Sequence, residues 1–264
     1  MRRGGVFWGG ILILLGVLFL LQNAGVINTS VWGLFWPLLL VGLGVWLLIG
    51  VLARPAAGAE EASVPLAGAG RAELRIAHGG GRLYLSGGAA SGELFGGRFA
   101  GGLDPRIERR GELVTADLRP ARRAFVFPGP WMWRGPLDWT VRLSGEVPMS
   151  LHLDLGADDV TLDLSSLRLT DLVLHTGAGA TDATLPAAAG YTKARVEAGM
   201  ASVTLHVPDG VAARIQVDGG LAGIDVDSRR FPRIASGYQS EGYEAAANKV
   251  DISAQVGLGA LRVV

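Results

Sequence analysis

The second half of the chain repeats one pattern, in which two short runs of alternating apolar residues flank a glycine. Within residues 151–164, apolar side chains lie five, three and one residues before Gly156, and four and six residues after it. Such alternation indicates β-strands with one buried face. Similar copies centre on Gly179, Gly199 and Gly220, at intervals of 23, 20 and 21 residues. These intervals are typical of a β-solenoid, whose turns bury their apolar faces by stacking on their neighbours.

Two more copies, around Gly79 and Gly257, lie towards the two ends of the repeating region. We therefore predict an all-β domain over residues 71–264, built as a β-solenoid stack of short strands. Residues 91–147 obscure the repeat, so we expect them either to complete the stack or to form a cap. Residues 227–250 lengthen the last interval to 37 residues, which predicts a loop or a lateral insertion.

The first 53 residues predict a membrane anchor of two helices. Residues 4–21 and 31–52 contain no charged side chain, and each is close to the ~20 residues that span a bilayer. A cleaved signal peptide is the less favoured interpretation, because no small-residue cleavage site follows the first apolar segment. Residues 54–70 are rich in Ala, Gly and Pro, which is typical of a flexible linker.

The few charges of the anchor favour one orientation in the membrane. Three arginines flank the predicted hairpin at its outer ends, namely Arg2, Arg3 and Arg54, and the loop between the helices has no charge. The positive-inside rule therefore places both termini in the cytoplasm, and with them the β domain. An extracytoplasmic domain is the alternative. In either case we expect a multi-pass protein of the cell membrane.

Composition excludes several classes of function. The chain has no cysteine, so disulfides, thiolate catalysis and zinc–thiolate sites are ruled out. Three of the 24 basic residues precede Glu60, whereas none of the 24 acidic residues does. The rest of the chain is therefore slightly acidic. A nucleic-acid-binding domain would normally be basic with clustered Lys and Arg, so we expect no nucleic-acid partner.

Four polar side chains could carry chemistry if the repeat is aligned on the glycines above. In that alignment His152 and His175 are equivalent, and so are Asp159 and Asp182. Paired histidines could share a metal, and paired carboxylates could serve acid–base chemistry on a glycan or bind calcium. No third ligand is in register, so we favour a surface ladder and hydrogen-bond acceptors at the corners. We expect no catalytic residue, no cofactor and no enzyme activity, since nucleophile-elbow, phosphate-loop and HExxH motifs are absent.

Two sets of residues are candidates for an interaction surface. The first is an acidic stripe at one position of the repeat, interrupted by Gly177, and consists of Asp154, Glu197 and Asp218. It could steer a basic partner or simply keep the surface soluble. The second set is aromatic and consists of Trp131, Trp133 and Trp139. These side chains could form a stacking platform, or could cover the open first turn of the stack.

Two segments resemble a known family. Residues 139–186 are similar to the "toastrack" domain of bacterial LiaF-like proteins, particularly in the run LDLSSLRLTDL followed by TGAG. The N-terminal RRGGVFWGGILILLGVLFLLQN and the later FWPLLLVGLGVWLLIG are similar to the membrane region of the same family. The resemblance implies a membrane-anchored protein of the cell-envelope stress response, in which LiaF-like members act on a membrane histidine kinase. It supplies no catalytic motif.

These observations favour a non-enzymatic membrane protein whose β-stack presents a rigid face to another protein. The expected partners are the lipid bilayer and a membrane protein such as a sensor histidine kinase. The alternative is an extracytoplasmic protein that binds a cell-wall polymer or acts like an adhesin, with the three tryptophans as stacking groups. A carbohydrate-active enzyme that uses Asp159 and Asp182 is a weaker third hypothesis.

Overall fold

The computed structural model describes residues 40–42, 44, 59–121 and 137–264. The predicted transmembrane hairpin therefore lies almost wholly outside the described residues, and so do Trp131 and Trp133. Among the residues that are described, no helix is long and apolar enough to cross a membrane. The described residues from Ala59 onwards belong to one compact unit, and all that follows concerns that unit.

The described residues of this unit form one sheet of thirteen strands, with a short 3₁₀ helix near its end. In chain order the elements are β1 (Ala59–Pro65), β2 (Arg71–Gly87), β3 (Glu93–Ala100), β4 (Leu103–Arg110), β5 (Leu113–Pro120), β6 (Trp139–Leu143), β7 (Met149–Asp163), β8 (Leu169–Thr184), β9 (Tyr191–His206), β10 (Ala212–Val226), β11 (Arg233–Ile234), β12 (Gly237–Gln239), the 3₁₀ helix (Tyr243–Ala245) and β13 (Lys249–Val263). The prediction of a nearly all-β domain is confirmed.

Six long strands form the centre of the sheet, and each of them is one rung of a parallel stack. Their spatial order is β2, β7, β8, β9, β13, β10. Buried and exposed residues alternate along the rungs, except in the second half of β10, which has no buried residue. Inward residues of successive rungs align in apolar columns. One such column consists of Leu74, Leu151, Leu172, Ala194, Ile252 and Ile215. The stack therefore buries its apolar face as the repeat predicts.

A column of glycines marks the middle of every rung, where the alternation of buried and exposed residues changes phase and the rung divides into two arms. The glycine column consists of Gly79, Gly156, Gly177, Gly199, Gly257 and Gly220. A Cβ at Gly156 would lie 2.5 Å from the carbonyl oxygen of Gly79, and one at Gly177 would lie 2.7 Å from that of Gly156. At Gly156, Gly177, Gly199 and Gly257 the adjacent backbone approaches too closely for any side chain, whereas a Cβ at Gly79 would meet nothing within 4 Å.

The alignment predicted for β8 is wrong by two residues, because the glycine of the column is Gly177 and not Gly179. Thr176 and Thr181 are almost fully buried at positions that are apolar in the neighbouring rungs. Because these two inward positions are polar, the apolar pattern of the sequence does not indicate the correct register of β8. A shift of two residues keeps Leu174, Ala183 and Leu185 on the inner face, whereas Ala178, which the wrong alignment also placed in the core, lies beyond the glycine column and is not buried.

The order of the last rungs also differs from the order of the chain. β13 lies between β9 and β10, so the copy around Gly220 is the final rung. Residues 227–250 contain β11, β12 and the 3₁₀ helix, which carry the chain past β10 and back into the stack. β12 pairs with β11, and its contact with β10 is limited to Arg214 and Ile215. The last strand, β13, is therefore inserted between β9 and β10, which are consecutive rungs in the sequence.

The other end of the stack is completed within residues 91–147. β5 pairs in parallel with the first arm of β2 and β6 with its second arm, so together they form a broken rung. Antiparallel strands β4 and β3 then cover β5 and β6, and β1 pairs with β3. Residues 59–65 were expected to be part of a flexible linker, but they form β1. Its apolar signal is weak because only Val64 is buried in that strand.

Candidate interaction surface

The acidic residues singled out by the repeat lie in one row on the outer face of the stack. On five consecutive rungs the row, called here the polar ladder, consists of Asp154, His175, Glu197, Gln255 and Asp218. The residue between the first two acids is thus His175, not Gly177 as the sequence alignment suggested. All five side chains are exposed. The structure therefore brings the three predicted acidic residues together, with a polar residue between each pair.

His175 joins the first two acids of the polar ladder. Its Nδ1 atom lies 2.9 Å from Oδ1 of Asp154 on one side, and its Nε2 atom lies 3.6 Å from Oε2 of Glu197 on the other. The imidazole and both carboxylates remain about half exposed. Such exposed pairs are worth little in stability, so the ladder contributes mainly a patterned, accessible surface. In the described part of the chain, no group of three or more His, Cys, Asp or Glu is placed to hold a metal ion.

A shallow groove of about 600 Å³ runs beside the polar ladder, with the glycine column as its floor. His175, Glu197, Asp218 and Gln255 line it. On the far side of the glycine column, the last three rungs carry a row of exposed apolar side chains, called here the apolar ridge. The ridge consists of Met200, Leu258 and Leu221, which are 67%, 46% and 84% exposed. The surface thus combines acidic side chains, bare backbone and apolar side chains.

The paired residues proposed for metal binding or acid–base chemistry are not brought together. In the observed register His152 faces Val173, and Asp159 faces Ala180. Asp182 lies instead 3.1 Å from Nε2 of His206. The predictions of a histidine pair and of a carboxylate pair are therefore wrong, since both rested on the misaligned Gly179. Asp159 and Asp182 are offset by two residues on adjacent rungs and do not lie opposite each other, as the glycosidase hypothesis had assumed.

A buried polar pair that sequence reasoning missed links the first two rungs. Nδ1 of His78 lies 2.6 Å from Oδ1 of Asp158, and Nε2 lies 2.7 Å from the carbonyl oxygen of Leu137. Oδ2 of Asp158 accepts a hydrogen bond from the backbone N–H of Gly156 over 2.9 Å. Both side chains are about 98% buried or more. The only signal in the sequence was His78 itself, a polar residue at an inward position beside Gly79.

Trp139 belongs to the interior and not to a binding platform. It is 1% exposed, and its ring packs edge-on against Phe99 at 5.0 Å and against His78 at 5.1 Å. Its indole N–H donates to the carbonyl oxygen of Ala100 over 3.2 Å. Trp139 therefore cannot stack on a ligand. Its role is closer to the predicted covering of the first rung.

Asp251 fastens the inserted strand β13 to its surroundings. Its carboxylate accepts hydrogen bonds from the hydroxyls of Tyr191 in β9 and Tyr243 in the 3₁₀ helix. The hydrogen bond to Asp251 raises the pKa of Tyr191 from 10.0 to about 12, and burial together with Asp251 raises the pKa of Tyr243 further. The guanidinium of Arg214 lies 4.3 Å from the ring centroid of Tyr243, which adds a cation–π contact.

The fold and this surface define a class of protein: a parallel β-stack with a patterned outer face, which continues from an apolar N-terminal region. Residues 54–206 match the family model described as the N-terminal domain of toast_rack, DUF2154, and residues 6–48 match the LiaI-LiaF-like transmembrane region. The first match covers more than half of the chain. The chain therefore belongs to the toast_rack family, and it is a LiaF-like membrane protein.

Two solved structures are similar to this chain. A candidate cell adhesion protein from Clostridium sporogenes is 20% identical, with a TM-score of 0.69 over 78% of this chain and 98% of that chain. At that identity, the similarity establishes the fold alone. A candidate adhesin from Bacteroides fragilis is 8% identical, with a TM-score of only 0.28 over 80% of this chain and 99% of that chain. No curated protein matches the chain.

Proposed function

We propose that this chain is a non-enzymatic binding protein of the bacterial cell-envelope stress response, held at the membrane, which recruits a basic partner protein through the polar ladder. The observation that carries the proposal is the spacing of its acids. Asp154, Glu197 and Asp218 lie on every second rung of a rigid sheet. Adjacent strands are ~4.8 Å apart, so the carboxylates recur about every 10 Å along the stack.

This spacing favours a helical partner over an extended one. Side chains on one face of a strand recur about every 6.6 Å, which does not match the ladder. Residues seven apart on a helix lie on one face and about 10.5 Å apart along the axis. A helix with Lys or Arg at every seventh position would place one cation against each acid. A cytoplasmic helix of a membrane histidine kinase would fit both this pattern and the family resemblance.

Charge reversal of the ladder tests the proposal. Full-length protein with Asp154→Lys, Glu197→Lys and Asp218→Lys should lose a dominant partner that the wild type recovers from native membranes. A matched control carries Asp104→Lys, Glu108→Lys and Glu241→Lys, which are exposed acids away from the ladder. Equal recovery by the ladder variant and by the wild type would rule out the ladder as the contact surface.

The side of the membrane decides between the two candidate functions. Because the chain has no cysteine, a single Ser236→Cys in the exposed turn between β11 and β12 reports its own location. A membrane-impermeant maleimide should label this variant only after lysis if the domain is cytoplasmic, as the kinase hypothesis requires. Labelling of intact cells would instead support a function outside the cell.

The second candidate function is binding of a cell-wall polymer or surface by an extracytoplasmic domain. It is favoured by the fold that this chain shares with the candidate cell adhesion protein from Clostridium sporogenes. Burial of Trp139 removes one of the three expected stacking groups. Retention of the protein on purified wall polysaccharide, together with labelling of intact cells, would favour this function over recruitment of a partner protein.

A further inference from the structure

Exposed apolar side chains crowd at the β10 end of the stack. The described residues there include Met200, Leu221, Ile224, Ile234 and Leu258, each at least 38% exposed. Ile224 is the most informative, because the equivalent residue of the preceding rung, Leu261, is fully buried. An inward-facing core position is therefore left uncovered on the last rung.

The second arm of β10 is also an open sheet edge. β12 covers only Arg214 and Ile215 of the first arm. Among the described residues, no strand pairs with the outer side of residues 219–226, whereas β13 pairs with their inner side. Natural edges are usually protected by Lys, Pro, a bulge or a covering segment. Residues 219–226 contain neither Lys nor Pro, and their one charge, Asp225, lies 3.0 Å from Nε of Arg262.

We propose that this edge pairs with the same edge of a second copy of the chain, as an antiparallel β10–β10 contact about a twofold axis near Ala222 and Gly223. In an antiparallel pair, opposite residues point to the same face of the sheet. A twofold axis through either residue therefore keeps Ala222 and Ile224 of both copies on the core side. Ile224 then becomes buried in a core that continues from one copy into the other.

The charges along the edge of β10 favour a second copy of the chain as the partner of this edge. With the axis at Ala222, Asp225 lies opposite Gly219 of the second copy, and with the axis at Gly223 it lies opposite Leu221. Neither arrangement sets one acid against another. An anionic lipid surface fits poorly, because Asp218 and Asp225 flank the edge, Arg262 is paired with Asp225, and, among the described residues, Arg233 is the one basic side chain that lines the groove beside Asp218 and Ile224. Anchoring in the membrane also confines copies to one plane, which raises their effective concentration.

The proposal does not depend on the proposed function, because Asp154, His175, Glu197 and Gln255 of the polar ladder lie on other rungs, and only Asp218 lies beside the edge. Loss of partner recruitment in the ladder variant and loss of dimerisation in an edge variant are therefore separate results. The edge is tested on the full-length protein, first in its membrane and then in detergent.

Disulfide trapping provides the first test. The Cα atoms of facing residues in an antiparallel pair are about 4.5–5.5 Å apart, which suits a disulfide. Oxidation of membranes that contain Ala222→Cys or Gly223→Cys should give a covalent dimer for at least one of the two variants. Ala157→Cys, on the exposed corner of β7 in mid-stack, is the control and should stay monomeric. Trapping at neither edge position, or no more than in the control, would overturn the proposal.

Weakening the shared core provides the second test. Ile224→Glu should weaken dimerisation of the detergent-solubilised protein at least tenfold, because it buries a charge at the contact. Ile107→Glu, at a residue of β4 with the same exposure at the opposite end of the stack, should leave dimerisation unchanged. The association is measured by sedimentation, and circular dichroism checks that both variants are folded. A monomeric wild type, or a dimer insensitive to Ile224→Glu, would contradict the contact.

Discussion

At the scale of single residues, the buried pair of His78 and Asp158 is the least replaceable feature of the first rungs. Both ring nitrogens and both carboxylate oxygens have partners within 2.9 Å. Truncation of Asp158 to Ala would leave Nδ1 of His78 without a partner in a dry environment. Breaking a buried pair in this way costs roughly 3 kcal/mol or more. We expect Asp158→Ala to lower the free energy of unfolding by about that amount.

The exposed neighbour Asp159 provides the control for this prediction. Asp159→Ala should change the free energy of unfolding by less than about 0.5 kcal/mol, as expected for a surface site. Urea unfolding followed by circular dichroism would compare the two variants with His78→Leu and with the double variant. If the effects of His78→Leu and Asp158→Ala simply add, the two side chains do not act as a pair.

Gly179 cannot be replaced because of its backbone conformation and the closeness of the neighbouring strand. It has φ = +111°, and a Cβ there would lie 2.1 Å from the carbonyl oxygen of Asp158. The equivalent residue of the next rung is Ala201, so this position accepts a side chain on β9 but not on β8. We expect Gly179→Ala to destabilise the protein by about 2 kcal/mol. The reverse change, Ala201→Gly, should cost roughly 0.5–1 kcal/mol. Equal effects in thermal unfolding would contradict the conformational argument.

At the scale of elements, the sequence predicts strands and their inner faces better than their partners. The period of two residues identifies the inward side chains of every rung, because burial of one face imposes it. The register of β8 was missed because Thr176 and Thr181 take apolar positions, and their hydroxyls have no hydrogen-bond partner within the described residues. A glycine-based alignment fails where two glycines lie two residues apart. The polar ladder was consequently predicted with a gap where His175 lies.

The attachment of β13 gives a prediction of pH dependence. The pKa of Tyr191 is about 12 in the folded protein, above its ordinary value of 10.0, because the hydroxyl donates to Asp251. Between these values the folded chain keeps the proton and the unfolded chain has lost it. The stability that this hydrogen bond confers is therefore complete below pH 10 and is lost as the pH rises towards 12.

Comparison of two phenylalanine variants measures this effect. Tyr191→Phe should make the unfolding free energy fall less steeply between pH 10 and 12 than it does in the wild type. Tyr84→Phe, on an exposed face of β2, should retain the wild-type slope. Urea unfolding at several pH values would show the difference. Parallel curves for all three proteins would mean that the Tyr191–Asp251 hydrogen bond has no influence on folding.

At the scale of the whole molecule, the order of the rungs could not be deduced from the apolar repeat. Every rung offers the same inward pattern, so each one fits any neighbour. The outer faces carry the missing information. On the first arm, one row of four rungs consists of Asp171, Lys193, Asp251 and Arg214, in which the charge alternates. Stacking in chain order would instead place Lys193 of β9 against Arg214 of β10, and facing like charges are destabilising.

Because β13 separates β10 from β9, we expect β10 to need β13 in order to fold into the stack. Without residues 249–264, β10 could join the stack only by pairing with β9, which would place Lys193 opposite Arg214. The hydrogen bonds from Tyr191 and Tyr243 to Asp251 would also be lost. Since each rung is stabilised by its immediate neighbours, the loss should stay local. In the truncated protein, hydrogen exchange should show β10 exchanging as an unfolded segment while β7 and β8 stay protected. If β10 instead remains protected, it docks on β9 without β13, and the alternating charges do not decide the order of the stack.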